Sequence, residues 1–216
     1  EEDLERWDKL YYVGADAKES GVLQGELAAA YLKAHPEADR NQDGVIQYVV
    51  LEGEAGHQDA ILRTEYAAST LKERGIALEK LGYALANWNR SQAQTQVQQL
   101  LQSYGTRIEL ILANNDDMAL GALDAYRASN IPLPPIFGID GTEPGLSAVR
   151  DQSLTGTVKN NGIGQAEAML SLALSLAAGE KSAYTLDRGK YIRIPYEAVS
   201  ADKDSSITAR STELSR

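Results

Sequence analysis

IELILANNDDMALGALDA, residues 108–125, changes character halfway along. Residues 108–113 read as a short strand, bounded on its far side by Asn114, Asn115, Asp116 and Asp117. From about Asp117 to Ser129 the chain reads as a helix, and Asn and Asp at its start are the residues that cap helix N-termini. A buried strand, a polar turn and a helix in that order form one half of a βαβ unit.

The same order repeats outward in both directions. LYYVGAD (10–16) reads as a strand, and Ser20 is positioned to cap a helix carrying Leu23, Leu27, Ala30, Tyr31 and Ala34, with Pro36 beyond it. IQYVVLEG (46–53) is a buried strand followed by a helix from about Gln58 to Lys72, ended by Gly75. A strand near 78–86 precedes a helix from about Ser91 to Ser103. PIFGID (135–140) precedes a short helix near Leu146 to Arg150, and LTGTV (154–158) precedes a long Ala/Leu helix from about Gly164 to Ala178. KYIRIPY (190–196) reads as the last strand, and the polar tail from about Ala201 is expected to fray. Such alternation predicts an α/β fold, a parallel sheet with helices on both faces.

Composition narrows the function. The chain has 216 residues, 43% of them hydrophobic, enough for a packed core in one large or two small domains. No apolar run approaches the roughly 18 residues of a membrane helix. A formal net charge of −10 and a pI near 4.7 argue against a nucleic-acid partner, because phosphate contacts need clustered Lys and Arg. The absence of cysteine excludes disulfides, thiol nucleophiles and Cys-type zinc sites. It suits an oxidising compartment without requiring one. The first residue is Glu rather than Met, and no signal peptide precedes it, so a processed or truncated chain is expected.

In open α/β sheets, ligands sit at the carboxyl ends of the strands. The segments after the strands offer His57, Asp59 and Arg63, then Trp88, then Asn114 to Asp117, then Asp140, then Asn160 and Asn161. This set holds no nucleophile–base pair and no Walker- or Rossmann-type glycine loop. It combines acceptors (Asp), donors (Arg) and groups that do both (Asn) with one aromatic plate. A sugar, with hydroxyls that donate and accept and a C–H face that lies on an indole, is matched by that mixture. Each residue also has a plain reading: Asp59 and Arg63 as an i,i+4 surface pair, Trp88 as packing, Asn114–Asp117 and Asp140 as caps, His57 as structural.

The segment ADRNQDGVIQ (38–47) resembles the front of a calcium loop. Asp39, Asn41 and Asp43 alternate, and Gly44 follows. An EF-hand needs a Glu at loop position twelve, and Val50 stands there. A surface turn, a broken site and a site completed from elsewhere all remain open on these residues.

The stretches YYVGADAKESGVLQGEL, DRNQDGVIQYVVLEGEAGHQDAILR, NWNRSQA, IELILANNDDMALGALDA, PIFGIDGTEP, LTGTVKNN and YIRIPYEAVSADK occur in one order at near-constant spacing. By these motifs the chain resembles the bacterial periplasmic glucose/galactose-binding proteins, in the ribose-binding-like group of type I periplasmic binding proteins. The resemblance implies two doubly wound parallel-sheet lobes joined by a hinge, with the first lobe incomplete, because roughly the first third of a family member has no counterpart here. It divides the chain into a first-lobe remnant (1–16 and 161–194), a second lobe with the sugar and calcium sites (17–160 and 195–210) and a tail (211–216).

The resemblance also implies ligand roles. His57, Asp59, Arg63, Asn115, Asp140 and Asn160 would hydrogen-bond the sugar, and Trp88 would stack on its ring. A structural calcium ion would be held by Asp39, Asn41 and Asp43, the Val45 carbonyl, Gln47 and the distant Glu109. The implied function is solute binding for an ABC sugar importer and for chemotaxis, in the periplasm or another extracytoplasmic space, without enzymatic chemistry. Implied partners are D-glucose or D-galactose, an ABC permease, a chemoreceptor and a separate N-terminal fragment; nucleic acid is not among them. A sugar-sensing ligand domain of a signalling or regulatory system is the alternative, although no basic DNA-binding head stands in these residues. One physical consequence is expected: the apolar-faced helix within 161–194 should be exposed and sticky without a sheet to pack on.

Overall fold

The computed structural model describes residue 7 and residues 9–200. The tail from Ala201, including 211–216, therefore lies outside the described residues, as does most of 1–8.

Six strands form the main sheet: β2 (Ile46–Glu52), β3 (Leu78–Leu85), β4 (Leu110–Ala113), β5 (Ile136–Phe137), β6 (Gly156–Lys159) and β8 (Glu197–Ser200). Their spatial order is β3-β2-β4-β5-β6-β8. All neighbours are parallel except β6 and β8, which run antiparallel with Thr157 opposite Val199. Period-two alternation explains why the central strands read as unbroken apolar runs. Val49 and Leu51 of β2, with Ile111 and Ala113 of β4, belong to the core on one face. Tyr48 and Val50, with Leu110 and Leu112, belong to the core on the other. The first face is covered by α3 (Arg90–Tyr104), α4 (Asp116–Ser129) and α5 (Glu143–Arg150); the second by α1 (Ala17–Ala34) and α2 (Gln58–Glu73).

A smaller layer stands apart from that sheet. β1 (Tyr12–Gly14) and β7 (Tyr191–Arg193) pair in parallel with each other, and among the described residues no third strand joins them. They pack with α6 (Gly162–Ala178) around Ala168, Leu172, Ile192 and Ile194.

Two sequence expectations needed correction. The cap of α1 is Asp16, whose carboxylate accepts from the Lys18 N–H at 2.9 Å; Ser20 lies one turn inside, its hydroxyl donating to the Ala17 carbonyl. KYIRIPY is not the last strand. Ile194 still donates to the Gly14 carbonyl, but Pro195 has no N–H to continue the ladder, so the chain leaves β1 and enters the other sheet as β8.

Candidate functional site

The site is built at the carboxyl ends of the central strands. His57 caps α2 with its ring Nδ1, which accepts from the Asp59 N–H. Asp59 occupies the first turn and Arg63 the next, and Asp59 Oδ2 lies 3.5 Å from Arg63 Nη2. The Arg63 side chain turns inward from this helix: the residue is only 5% exposed, so its charge must be met locally. Nη1 donates to the Asn114 carbonyl at 2.7 Å and to Asp140 Oδ1 at 3.3 Å, and Nη2 donates to the Tyr196 hydroxyl at 3.3 Å. Nε is buried without a hydrogen-bond partner.

Trp88 stands beside this cation. It adopts a left-handed backbone (φ 63°), rare for a bulky residue and of the kind that collects at functional sites. The Arg63 Cζ lies 5.8 Å from the indole, and the His57 ring meets it edge-on at 5.2 Å and 77°. Gly53 makes the arrangement possible, since a Cβ there would fall 2.1 Å from the indole. Asn115 caps α4 by accepting from the Met118 N–H, and its Nδ2 donates to the Trp88 carbonyl at 3.3 Å.

Asp140 follows β5 by three residues, has φ 111°, and donates its N–H to the Val158 carbonyl of β6. Burial pushes its carboxyl up to about 6; Asp116 and Asp59 add to the rise and Arg63 opposes it. Asn160 donates its N–H to the Asp140 carbonyl at 2.9 Å, and its Oδ1 accepts from Gln165 Nε2 at 2.5 Å. Asp59 and Asn160 line a polar cleft of about 230 Å³ together with Asp16, Gln58, Gln165 and Tyr196. All seven residues implied for the sugar thus fall into one connected cluster. Four of these cleft residues carry no site signal in the sequence: Asp16 and Tyr196 sit in segments that read as strands, and Gln58 and Gln165 in helices.

The neighbouring acids and amides separate into plain roles. Asn114 accepts from the Gly53 N–H and pairs with Thr64; Asn161 caps α6 by accepting from the Gly164 N–H. Asp117 is exposed. Asp116 is fully buried beneath the site, where its carboxylate accepts from the Thr157 hydroxyl at 2.5 Å and from the Thr142 N–H at 2.7 Å. Gly138 and Gly145 leave the space this carboxylate fills.

The 39–47 loop turns at Gln42 (φ 59°) and Gly44 (φ 79°). Glu109 is 1% exposed and aims its carboxylate into this loop: Oε1 accepts from the Arg40 N–H at 2.7 Å and Oε2 from the Gln47 N–H at 3.0 Å. Asn41 and Gln47 turn amide N–H groups toward Asp43 Oδ2, at 2.9 and 3.0 Å. Asp39 Oδ1 is buried with no partner. Among the described residues no three His, Asp or Glu side chains are gathered closely enough to hold a metal. A cation here would therefore also depend on the neutral oxygens of Asn41, Val45 and Gln47. The oxygen-only donor set and the unpartnered Asp39 oxygen fit a hard dication.

A profile of the periplasmic binding protein domain matches residues 1–181. The D-galactose/methyl-galactoside binding periplasmic protein MglB of Haemophilus influenzae is 41% identical over 203 residues, covering 92% of this chain and 60% of that protein. A xylitol-binding protein of Mycolicibacterium smegmatis is 34% identical over 159 residues, 74% of this chain and 45% of the relative. The crystal structure of an ABC transporter solute binding protein from Bacillus halodurans with bound myo-inositol superposes with a TM-score of 0.73 at 30% identity, over 92% of this chain and 63% of that one. The chain spans less than two thirds of the length of each of these three proteins.

Proposed function

The chain belongs to the periplasmic binding protein family, and on that premise we propose that it carries the larger part of a monosaccharide-binding protein that feeds an ABC importer from the periplasm. The observation that supports this reading is the Arg63 cluster: a buried guanidinium between Asp59 and Asp140, with Trp88 beside it, at the strand ends next to a polar cleft. Such a site hydrogen-bonds hydroxyls through charged groups, which strengthens each bond, and offers an aromatic face to ring C–H groups. Relatives that bind sugars support binding and closure, rather than chemistry, as its action.

Within this reading His57, Asp59, Arg63, Asn115, Asp140 and Asn160 take the hydroxyls and Trp88 takes one face of the ring. The sugar is D-galactose or D-glucose, a choice supported by the galactoside-binding relative and left open by the xylitol and myo-inositol binders. A calcium ion held by Asp39, Asn41, Asp43, Val45, Gln47 and Glu109 supplies charge that ties the 39–47 loop to the start of β4. Residues 17–160 and 195–200 form one lobe, and 9–16 with 161–194 contribute to the other. A companion segment completes that other lobe, and a permease and a chemoreceptor read the closed form. Isothermal titration of this chain with D-galactose, D-glucose, xylitol and myo-inositol tests the proposal. Weak but saturable binding of one or both hexoses, abolished by Arg63→Ala, is expected; no heat with any of the four, or equal heat with all, would overturn it.

A further inference from the structure

Tyr196 lies in the short segment between β7 and β8, where the chain passes from the two-stranded layer to the six-stranded sheet. A crossing residue would ordinarily be judged by its packing, and Tyr196 is indeed 4% exposed in the core beneath α1 and α2. Its polar atoms do something more specific. The main-chain N–H donates to Glu19 Oε2 of α1 at 3.3 Å, and the hydroxyl accepts from Arg63 Nη2 of α2 at 3.3 Å. Glu19 is half-buried, and burial raises its pKa. The ring also borders the polar cleft that Asp59 and Asn160 line.

The acceptors around Arg63 are unequal. The Asn114 carbonyl is fixed by the sheet and holds Nη1 at 2.7 Å. Among the described residues the only other partner of Nη2 is Asp59, 3.5 Å away with 39% of its side chain exposed. Asp59, partly exposed and at that distance, can move with the solvent and restrains the buried guanidinium less than a packed acceptor does. The phenol oxygen is therefore the one rigid, buried acceptor on the Nη2 side of the fork, and it is carried by the segment that joins the two layers.

We propose that Tyr196 is a positioning residue of the ligand site: its hydroxyl fixes the plane of the Arg63 guanidinium, so that the crossing segment and the ligand-binding cation share one geometry. This rests on the reading of Arg63 as a sugar ligand. Without the hydroxyl, Nη2 is free to swing toward Asp59, and a planar fork that must present its donors in fixed directions loses part of that fit before any sugar arrives.

Tyr196→Phe keeps the ring in the core and removes only the acceptor. Two readouts are needed. Sugar affinity is measured by titration with D-galactose to saturation in wild type, Tyr196→Phe, Arg63→Lys and the double variant. Guanidinium rotation is followed through the Arg63 ¹⁵N-resolved Nη–H signals without sugar. The expected result is about tenfold weaker binding in Tyr196→Phe, little further loss when the change is made on Arg63→Lys, and separate Nη signals in wild type that merge in Tyr196→Phe. A purely structural tyrosine would give the same loss on either background and leave the signals apart, and that outcome overturns the proposal. If the wild-type chain binds no sugar, the sugar reading falls, while the Nη signals still decide whether Tyr196 holds Arg63.

Discussion

Helices α4 and α6 are nearly the same length and lie in very different surroundings. Of the fourteen residues of α4, nine are buried, from Asp116 at its start to Tyr126 near its end. Of the seventeen residues of α6, only Ala168 and Leu172 are buried. Ile163, Leu170 and Leu174 of α6 are 76%, 63% and 62% exposed, and Met169 and Leu176 are also exposed. The helix that is richer in apolar residues is thus the less buried one. Hydropathy states what a helix would gain by burial; the sheet beneath it decides whether the gain is made. α4 packs on a six-stranded sheet, and among the described residues α6 packs on a two-stranded one. Large exposed apolar patches commonly mark surfaces that associate with another segment or chain.

The sharpest way to break this comparison is to remove one buried side chain from each region. Phe137 is 1% exposed in the main sheet, and Phe137→Ala should cost about 3–5 kcal/mol in urea unfolding. Leu172 is 5% exposed in the small layer. Leu172→Ala should leave the main transition within about 1 kcal/mol of wild type while accelerating amide exchange in α6, a local opening rather than a global one. If Leu172→Ala lowers the main transition as far as Phe137→Ala does, the two regions unfold as one unit and the contrast between α4 and α6 has no energetic meaning.

A smaller effect is expected from calcium, and it should fall on one side only. The six proposed ligands all belong to the elements around the main sheet. Saturating calcium, at about 100 times its dissociation constant, should stabilise the main transition by about 2.7 kcal/mol and leave α6 exchange untouched. Glu109→Gln should abolish that shift. An unchanged melting temperature on chelation would reduce the 39–47 loop to an Asx-rich turn.

The sequence exposed these regions to different degrees. The strands of the main sheet were legible because both faces are buried, so that Tyr48 to Leu51 and Leu110 to Ala113 form apolar runs with no other explanation. The residues proposed for the site were visible one by one as polar or aromatic groups after strands. Their connection was not, because it depends on Arg63 turning inward to reach Asn114, Asp140 and Tyr196 across long sequence separations. β8 was missed because four half-exposed residues after a proline carry little pattern of their own; they become a strand through pairing with β6. The cap of α1 was misplaced because Asp16 and Ser20 are both good cap residues, and only the backbone chooses between them.

The finest test of the contrast is electrostatic. The Asp140 carboxyl is pushed up to about 6, above its ordinary 3.8, chiefly by burial against the main sheet. Its folded form therefore holds a proton through a range of pH in which the unfolded chain has released it. The stabilisation this brings is complete below about 3.8 and is lost as pH rises through about 6. Asp140→Asn is neutral throughout and lacks that dependence. Wild type should accordingly gain on Asp140→Asn as pH falls from 7 to 4, and the difference should be flat above 7. The gain belongs to the main transition, since Asp140 bonds Arg63, Val158 and Asn160 and lies outside the core of Ala168, Leu172, Ile192 and Ile194 that α6 helps to form. A difference that stays constant from pH 4 to 8 would mean that water reaches this carboxylate freely, and that the strand-end site is as open as the outer face of α6.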